Sequence, residues 1–127
     1  MAMAGVVERA LGDRVEGGVA VVAHGYAASL PGHLPAPRRV EVVEAGHPVP
    51  DAASVAAARR VLALADGCGP DDLFLVLLSG GGTSLCADFA GGVGRDIDLD
   101  DAREAYRLLL ASGADLHAMN AVRKHLS

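Results

Sequence analysis

Three consecutive glycines flanked by hydroxyl side chains are the part of this sequence whose residue types best suit ligand chemistry. This glycine loop comprises Ser79, Gly80, Gly81, Gly82, Thr83 and Ser84, and it directly follows the apolar run at 73–78. Glycines permit a sharp backbone turn and the close approach of a ligand, because no Cβ blocks the path. A helix that begins after the loop would add unpaired N–H groups and a partial positive charge. The loop is therefore predicted to bind an anion such as phosphate or carboxylate.

The spacing of the glycine loop matches neither of two common phosphate-binding motifs. A Walker A loop has the pattern Gly-x-x-x-x-Gly-Lys-Ser/Thr, and the dinucleotide fingerprint has the pattern Gly-x-Gly-x-x-Gly. The loop lacks the lysine of the first motif and the spacing of the second. An alternative interpretation therefore stays open, in which the loop is a strand-to-helix turn that holds no ligand.

A second group of polar residues lies near the end of the chain. Asn120, Arg123, Lys124 and Ser127 are three or four positions apart, so that on a helix they share one face. Lys124 is the single lysine of the sequence, and a lysine and an arginine beside an amide suit a phosphorylated or carboxylate substrate. The alternative is a solvated basic end that complements the negative pole of its own helix.

The histidines and cysteines carry weaker signals. The histidines show no paired spacing such as His-x-x-x-His, so we predict no metal ligands among them. His47 lies between a glycine and a proline, and from such a rigid loop it could either donate to a ligand or hold the loop together. Cys68 and Cys86 have no close-pair spacing, which favours a reducing, cytoplasmic setting over a disulfide scaffold.

The elements that must position these residues are predicted from the pattern of apolar side chains. Helices are predicted at 1–11, 52–66, 99–112 and from 116 to the end of the chain, and strands at 17–23, 39–45 and 73–78. Asp51, Asp98 and Asp115 are predicted helix N-caps, and a second glycine-rich loop is predicted at 90–94. Strands that alternate with helices are typical of an α/β domain with a mostly parallel sheet.

The overall composition excludes several classes of protein. The chain has 127 residues and a formal net charge of −5, and 51% of its residues are hydrophobic. That hydrophobic content argues against a disordered segment, and the acidic balance argues against a nucleic-acid binder, which needs clustered basic residues. No apolar run approaches the ~20 residues that cross a bilayer, and the start of the chain lacks the pattern of a signal peptide. We therefore expect no nucleic acid and no membrane among its partners.

Four short segments, in this order and at this spacing, carry a family resemblance. They are Gly-His-Pro-Val-Pro-Asp at 46–51, Leu-Leu-Ser-Gly-Gly-Gly-Thr-Ser-Leu at 77–85, Ser-Gly-Ala at 112–114 and Asn-Ala-Val-Arg-Lys-His-Leu-Ser at 120–127. Together they resemble the class II glycerate 2-kinases, whose C-terminal domain is called MOFRL and which are often labelled hydroxypyruvate reductases. The resemblance extends over nearly the whole chain.

The resemblance implies ATP-dependent phosphorylation of D-glycerate at its 2-hydroxyl, with Mg²⁺, to give 2-phosphoglycerate. It also implies a Rossmann-like three-layer α/β sandwich with a mostly parallel sheet, whose active site lies in a cleft against a second domain. The glycine loop would bind an anion and face that cleft. Asn120 would contact the substrate, and Arg123 and Lys124 would be catalytic cations around the phosphoryl group, since phosphoryl transfer depends mostly on positioning and charge.

The sequence departs from the family pattern in two respects. Thr83, Ser84 and Leu85 stand where family members usually have Ser-Ala-Leu, and glycines replace the usual proline shortly afterwards, which could change the anion that fits. The family's Gly-Lys-Ala-Ala segment, whose lysine is thought to be catalytic, has no counterpart in residues 1–127, nor have the second domain and the MOFRL domain. We therefore expect a partial, incomplete N-terminal domain that is inactive without the missing parts of its own full-length chain.

Two other functions stay open on the sequence alone. One is a non-enzymatic module that binds an anion or a nucleotide through the glycine loop. The other takes the label hydroxypyruvate reductase literally, although no dinucleotide fingerprint with a ribose-binding acid is present. For the kinase, the expected partners are small molecules in the cytoplasm, namely a hydroxy acid such as glycerate and a nucleotide.

Overall fold

The computed structural model describes residues 1–29, 31–32, 34–89 and 97–126 of the chain. This part contains the elements α1 (Ala2–Leu11), β1 (Gly18–Ala23), β2 (Val40–Ala45), α2 (Ala52–Gly67), α3 (Gly82–Leu85), α4 (Leu99–Ala111) and α5 (Leu116–Arg123). No helix of the described part is long and apolar enough to cross a membrane. The second glycine-rich loop predicted at 90–94 and the predicted site residue Ser127 lie outside the described residues.

The two strands pair in parallel, and this pairing confirms the α/β class predicted from the sequence. The register runs from Gly18 opposite Val40 to Ala23 opposite Ala45. Both strands are rich in valine, whose branched side chain favours the pleated conformation, and α2 packs against both of them. Parallel strands end at the same edge of a sheet, and in open α/β sheets ligands bind outside that edge.

The prediction of a strand at 73–78 is wrong. Leu73–Leu78 has no regular secondary structure, and each of its six residues is exposed, from 40% at Phe74 to 83% at Leu73. The composition of the segment favours a strand, but a strand also needs a neighbour to complete its backbone hydrogen bonds. In the described part of the chain the sheet consists of β1 and β2 alone. The sheet is therefore smaller than the sequence predicts.

The helices begin at the predicted capping residues. The carboxylates of Asp51, Asp98 and Asp115 accept hydrogen bonds from N–H groups three residues later, at 2.9, 2.8 and 2.9 Å. These bonds satisfy donors that a helix leaves unpaired in its first turn. The prediction that the last helix continues to the end of the chain is wrong, since α5 ends at Arg123. The N–H of Lys124 still bonds to the carbonyl four positions back, but the N–H groups of His125 and Leu126 bond three positions back, as in a 3₁₀ turn.

Tyr106 and Phe89 form the centre of a small core. Both are buried together with Ala87 and Ala102. Half-buried apolar side chains from several elements pack against this centre, namely Val49, Val55, Ile97, Leu99 and Leu126. The core therefore joins the C-terminal half of the chain to α2 and to the loop that precedes it.

Candidate functional site

The carboxyl ends of β1 and β2 bring two loops together at one edge of the sheet. His24 follows β1 directly, and Gly46 follows β2. The backbone N–H of His24 donates to the carbonyl of Ala45 at 3.2 Å, which extends the pairing of the two strands by one bond. The first residues after the strands are therefore neighbours, although they are far apart in the sequence.

The loop from Gly46 to Asp51 is tightly folded. A Cβ on Gly46 would lie 2.5 Å from the carbonyl oxygen of Val49, so that only glycine fits there without a shift of the backbone. The peptide bond between His47 and Pro48 is cis. A Cβ on Gly46 would also lie 3.0 Å from the backbone nitrogen of Asp51, so the loop returns to the start of α2.

Asp51 joins this loop both to α2 and to His24. Its backbone N–H donates to Ser54 Oγ at 3.1 Å, while its carboxylate accepts from the Ser54 N–H at 2.9 Å, so that the two residues form a capping box. The other carboxylate oxygen, Oδ2, lies 2.7 Å from Nε2 of His24. Partial burial raises the pKa of Asp51, but hydrogen bonds from His24, Ser54 and Gly46 outweigh this effect and lower the pKa to about 2. The carboxylate is therefore ionised at neutral pH.

The glycine loop turns at Gly81, whose φ of 90° lies in the left-handed region. The carbonyl of Gly81 accepts hydrogen bonds from the N–H groups of Ser84 and Leu85 and from the Ser84 hydroxyl, all at 3.1 Å. Ser84 is buried, so its hydroxyl lies inside the turn. Helix α3 has a single turn, and the partial charge at its start is smaller than that of a long helix. The exposed members of the loop are Ser79, Gly80 and Thr83.

His47 contacts the glycine loop at Gly81. A Cβ at position 81 would lie 2.5 Å from Cδ2 of His47, so the imidazole ring packs directly against the glycine backbone. Glycine is required here for two reasons, its positive φ and the ring that occupies the space of a side chain. The structure therefore brings together two features that the sequence predicts to be functional, although the contact of His47 with a ligand stays a prediction.

Tyr106 connects the glycine loop to the core. The Tyr106 hydroxyl donates to the carbonyl of Thr83 at 2.8 Å, and its side chain is fully buried. The guanidinium carbon of Arg123 lies 4.6 Å from the centre of the Tyr106 ring, a cation–π distance. Burial raises the pKa of Tyr106, although Arg123 and the bond to Thr83 act in the opposite direction. The phenol therefore stays protonated at neutral pH and keeps its bond to the loop.

The C-terminal residues predicted to be functional lie in different environments. Arg123 is 7% exposed, and its guanidinium lies over the ring of Tyr106, whose hydroxyl donates to the glycine loop at Thr83. Lys124 is exposed at the end of α5, and Asn120 is half-buried on the same helix. The catalytic roles of Arg123 and Lys124, and the contact of Asn120 with a substrate, stay predictions.

The donor atoms of the glycine loop suit an anion rather than a metal ion. Backbone N–H groups and hydroxyls are typical anion donors. Among the described residues, no group of three or more histidine, cysteine, aspartate or glutamate side chains could hold a metal ion.

The pair formed by His24 and Asp51 is a site feature that the sequence analysis misses. Asp51 is predicted only as a helix cap, and His24 only as part of a loop. The pair could have been predicted from one signal, which is that both residues follow strands predicted to be parallel. The carboxyl ends of such strands meet at one edge of the sheet.

Comparisons with known proteins identify one family and several relatives. A family model described as "Domain of unknown function (DUF4147)" matches residues 1–127. A putative hydroxypyruvate reductase from Agrobacterium vitis is 44% identical over 126 residues, which cover 99% of this chain and 26% of that protein. A glycerate 2-kinase from Pyrococcus horikoshii is 40% identical over 113 residues, which cover 89% of this chain and 23% of that protein.

The fold is shared with a solved glycerate kinase. A crystal structure of this enzyme from Thermotoga maritima matches with a TM-score of 0.71 and 40% sequence identity, over 98% of this chain and 28% of that chain. This chain thus spans about a quarter of the length of the relatives that it matches. These similarities confirm the resemblance to glycerate kinases that the four sequence segments indicate.

Proposed function

Because this chain belongs to the DUF4147 family over its whole length, we propose that it forms the glycine-loop side of the active site of a glycerate 2-kinase. The reaction transfers the γ-phosphoryl group of ATP to the 2-hydroxyl of D-glycerate and releases ADP. The observation that carries the proposal is the contact between His47 and Gly81 at the carboxyl edge of the sheet. This contact unites two segments, 46–51 and 77–85, that the resemblance singles out.

The glycine loop would bind a negatively charged group of a ligand. A Cβ on Gly80 would have no other atom within 4 Å, so the space beside the loop is open. Backbone N–H groups and the hydroxyls of Ser79 and Thr83 would donate to a phosphate or to the carboxylate of glycerate. Ser84 would act indirectly, because its hydroxyl is bonded inside the turn that shapes the loop.

Three C-terminal residues complete the proposed site. Lys124 is an exposed cation that would offset the negative charge of the transferred phosphoryl group. Asn120 would donate its amide to the substrate. In the observed position the guanidinium of Arg123 lies on the ring of Tyr106 and supports the loop. Arg123 would act as a second catalytic cation after its guanidinium leaves that ring.

The nucleotide, the metal ion and the remaining domains belong to the same proposal. Mg²⁺ would supply positive charge that offsets part of the negative charge of the ATP phosphates. The Rossmann-like three-layer sandwich, the active-site cleft and the MOFRL domain are proposed for the whole protein, since this chain covers about a quarter of its relatives.

Calorimetry on the purified chain tests the binding part of the proposal. We expect D-glycerate or MgATP to bind, and Gly80→Val to weaken the binding about tenfold or more, because the branched side chain would fill the open side of the loop. Gly17→Val is the matched control, since position 17 is equally open but precedes β1. Equal weakening by both variants, or no binding by the wild type, contradicts the proposal.

A chimera tests the catalytic part of the proposal. In it, this chain replaces the matching segment of the Thermotoga maritima glycerate kinase. We expect the chimera to form 2-phosphoglycerate from ATP and D-glycerate, observed by phosphorus NMR. A folded chimera without this activity contradicts the proposal. Oxidation of NADH with hydroxypyruvate would instead favour the reductase activity for which the Agrobacterium vitis relative is named.

A further inference from the structure

We propose that the ring of His24, held by Asp51, accepts a hydrogen bond from the hydroxyl group of the bound hydroxy acid and takes its proton during phosphoryl transfer. This inference rests on the proposed function. It concerns a residue that lies outside the four segments that carry the family resemblance. Its basis is the geometry of two side chains at the carboxyl edge of the sheet.

The hydrogen bond between His24 and Asp51 has only one possible direction. Oδ2 of Asp51 lies 2.7 Å from Nε2 of His24. An ionised carboxylate can only accept, so Nε2 must carry the hydrogen. In the neutral ring the other nitrogen, Nδ1, then has a lone pair available. Asp51 therefore selects the tautomer of His24 that accepts a proton at Nδ1, as carboxylates do for other histidine bases.

Asp51 is itself fixed in position, which makes it a positioning residue for His24. Its Oδ1 accepts from the N–H of Ser54 at 2.9 Å and from the Ser54 hydroxyl at 3.2 Å. The backbone of Gly46 also donates to the carboxylate. A carboxylate bound on several sides has little freedom to rotate, so the imidazole that it holds keeps one orientation.

The ring of His24 is accessible to a ligand. Its side chain is 59% exposed. The charged groups that face it are the carboxylates of Asp51 and Glu44, and Glu44 is held by the backbone N–H of Ala27 at 2.9 Å. Both carboxylates would stabilise the imidazolium that forms when the ring takes up a proton.

His24 shares the carboxyl edge of the sheet with the glycine loop. Asp51 accepts from the backbone of Gly46, and the next residue, His47, packs against Gly81. Helix α3 also contacts β1, the strand that His24 follows. These contacts put His24 and the glycine loop at one edge of the sheet, and the proposal places the charged group of the hydroxy acid in the loop and its hydroxyl beside His24.

In the proposed step, the 2-hydroxyl oxygen of glycerate forms a bond to the γ-phosphorus of ATP while its proton moves to Nδ1 of His24. The bond between the γ-phosphorus and the bridging oxygen breaks, and ADP leaves with that electron pair. The products are 2-phosphoglycerate, ADP and a protonated imidazole, which returns its proton to water. A base in this position contributes about a hundredfold or more to the rate of such a step.

Nitrogen NMR of the imidazole rings in the 127-residue chain tests the geometry without a ligand. At a pH where the ring is neutral, we expect Nε2 of His24 to be protonated and Nδ1 to be unprotonated. In the Asp51→Asn variant the helix cap is kept, but the amide can present either a donor or an acceptor to the ring. His24 of this variant should therefore populate both tautomers. A wild-type His24 that carries its proton on Nδ1 would overturn the inference.

Calorimetry tests the contact with the hydroxyl of the ligand. We compare D-glycerate with 3-hydroxypropionate, which lacks the 2-hydroxyl, and expect the wild type to bind D-glycerate about three- to tenfold more tightly. His24→Gln should remove this preference, because glutamine can still donate to Asp51 but places no acceptor at the position of Nδ1. The matched control is His117→Gln, an exposed histidine of α5, which should keep the preference.

The outcomes separate this inference from the proposed function. A preference for D-glycerate that survives in His24→Gln overturns the inference and leaves the proposed function intact. A wild-type chain that does not bind D-glycerate overturns the proposed function, and the inference with it.

Discussion

The glycine loop is held by two regions of opposite character. The first region, the polar side, consists of His24, Gly46, His47 and Asp51. It contacts the loop at Gly81. The apolar side consists of Ala87, Phe89, Ala102, Tyr106 and Arg123 and contacts the loop at Thr83. In the polar side the two histidines are exposed and Asp51 is half-buried, and hydrogen bonds link His24, Asp51 and Gly46, whereas every residue of the apolar side is buried.

This difference separates the support of the loop from its chemistry. A buried aromatic ring stabilises a fold strongly, but it is withdrawn from any ligand. An exposed ion pair adds little stability, yet its atoms stay within reach of a ligand. We infer that the apolar side fixes the position of the glycine loop and that the polar side supplies the groups that can react. The following variants test this division.

Removal of the Tyr106 ring should have the largest effect. We expect Tyr106→Ala to lower the free energy of unfolding by about 3–5 kcal/mol, because it leaves a cavity and deletes the bond to Thr83. Urea unfolding followed by circular dichroism measures the change. Tyr26→Ala is the control, since that aromatic residue is 65% exposed, and it should stay within about 0.5 kcal/mol of the wild type. Similar losses in both variants would show that the apolar side does not support the loop.

A side chain at position 81 should disrupt the contact between the polar side and the loop. We expect Gly81→Val to cost about 2–4 kcal/mol, because it forces a branched residue to a φ of 90° and into the ring of His47. Gly80→Val is the matched control, since position 80 is open, and it should change stability by no more than about 0.5 kcal/mol. Thermal and urea unfolding of both variants check this order. A Gly81→Val as stable as Gly80→Val contradicts the close packing of His47.

Removal of the Tyr106 hydroxyl isolates one bond of the apolar side. We expect Tyr106→Phe to lower the free energy of unfolding by about 1 kcal/mol, since the ring stays in place and only the bond to the Thr83 carbonyl is lost. Tyr26→Phe serves as the exposed control. Urea unfolding again gives the difference. If Tyr106→Phe matches the wild type, the ring alone supports the loop.

The pH dependence of stability should report on Asp51. Its pKa is about 2 in the folded chain, against an ordinary value of 3.8, so the ionised carboxylate stabilises the fold fully above that ordinary value. This stabilisation is lost as the pH falls towards 2, and it amounts to about 1 kcal/mol once the partial exposure of the group is allowed for. Asp51→Asn keeps the helix cap but cannot ionise, so the difference between wild type and variant should shrink as the pH falls. Thermal unfolding at several pH values below neutral measures this difference in stability. A difference that stays constant as the pH falls would contradict the lowered pKa of Asp51.

Features that depend on neighbours in the sequence were predictable. The caps Asp51, Asp98 and Asp115 are confirmed, because a capping carboxylate bonds to an N–H group only three residues away. The two valine-rich strands and their parallel pairing are confirmed as well. The last helix was predicted too long, because periodicity alone does not show where the final turn tightens.

Features that depend on distant partners were not predictable in the same way. The segment 73–78 has the composition of a buried strand, yet it is exposed and unpaired with β1 or β2. Strand formation needs a neighbouring backbone at the right distance, and composition carries no information about that. The sequence predicts Arg123 as a cation for a substrate, but a guanidinium can also lie over a tyrosine ring, and in this chain it does so at Tyr106.

By itself, the sequence determined the α/β class, the helix starts, the glycine loop and the resemblance to glycerate kinases, because each follows from residue types and short-range spacing. Only the tertiary structure decided which side chains meet at the loop. His24, Asp51, His47 and Gly81 come from three separate segments, and they converge because two parallel strands end at one edge and a tight loop returns from that edge. Contacts of this kind arise from chain topology and packing, which the spacing of residues along the sequence does not specify.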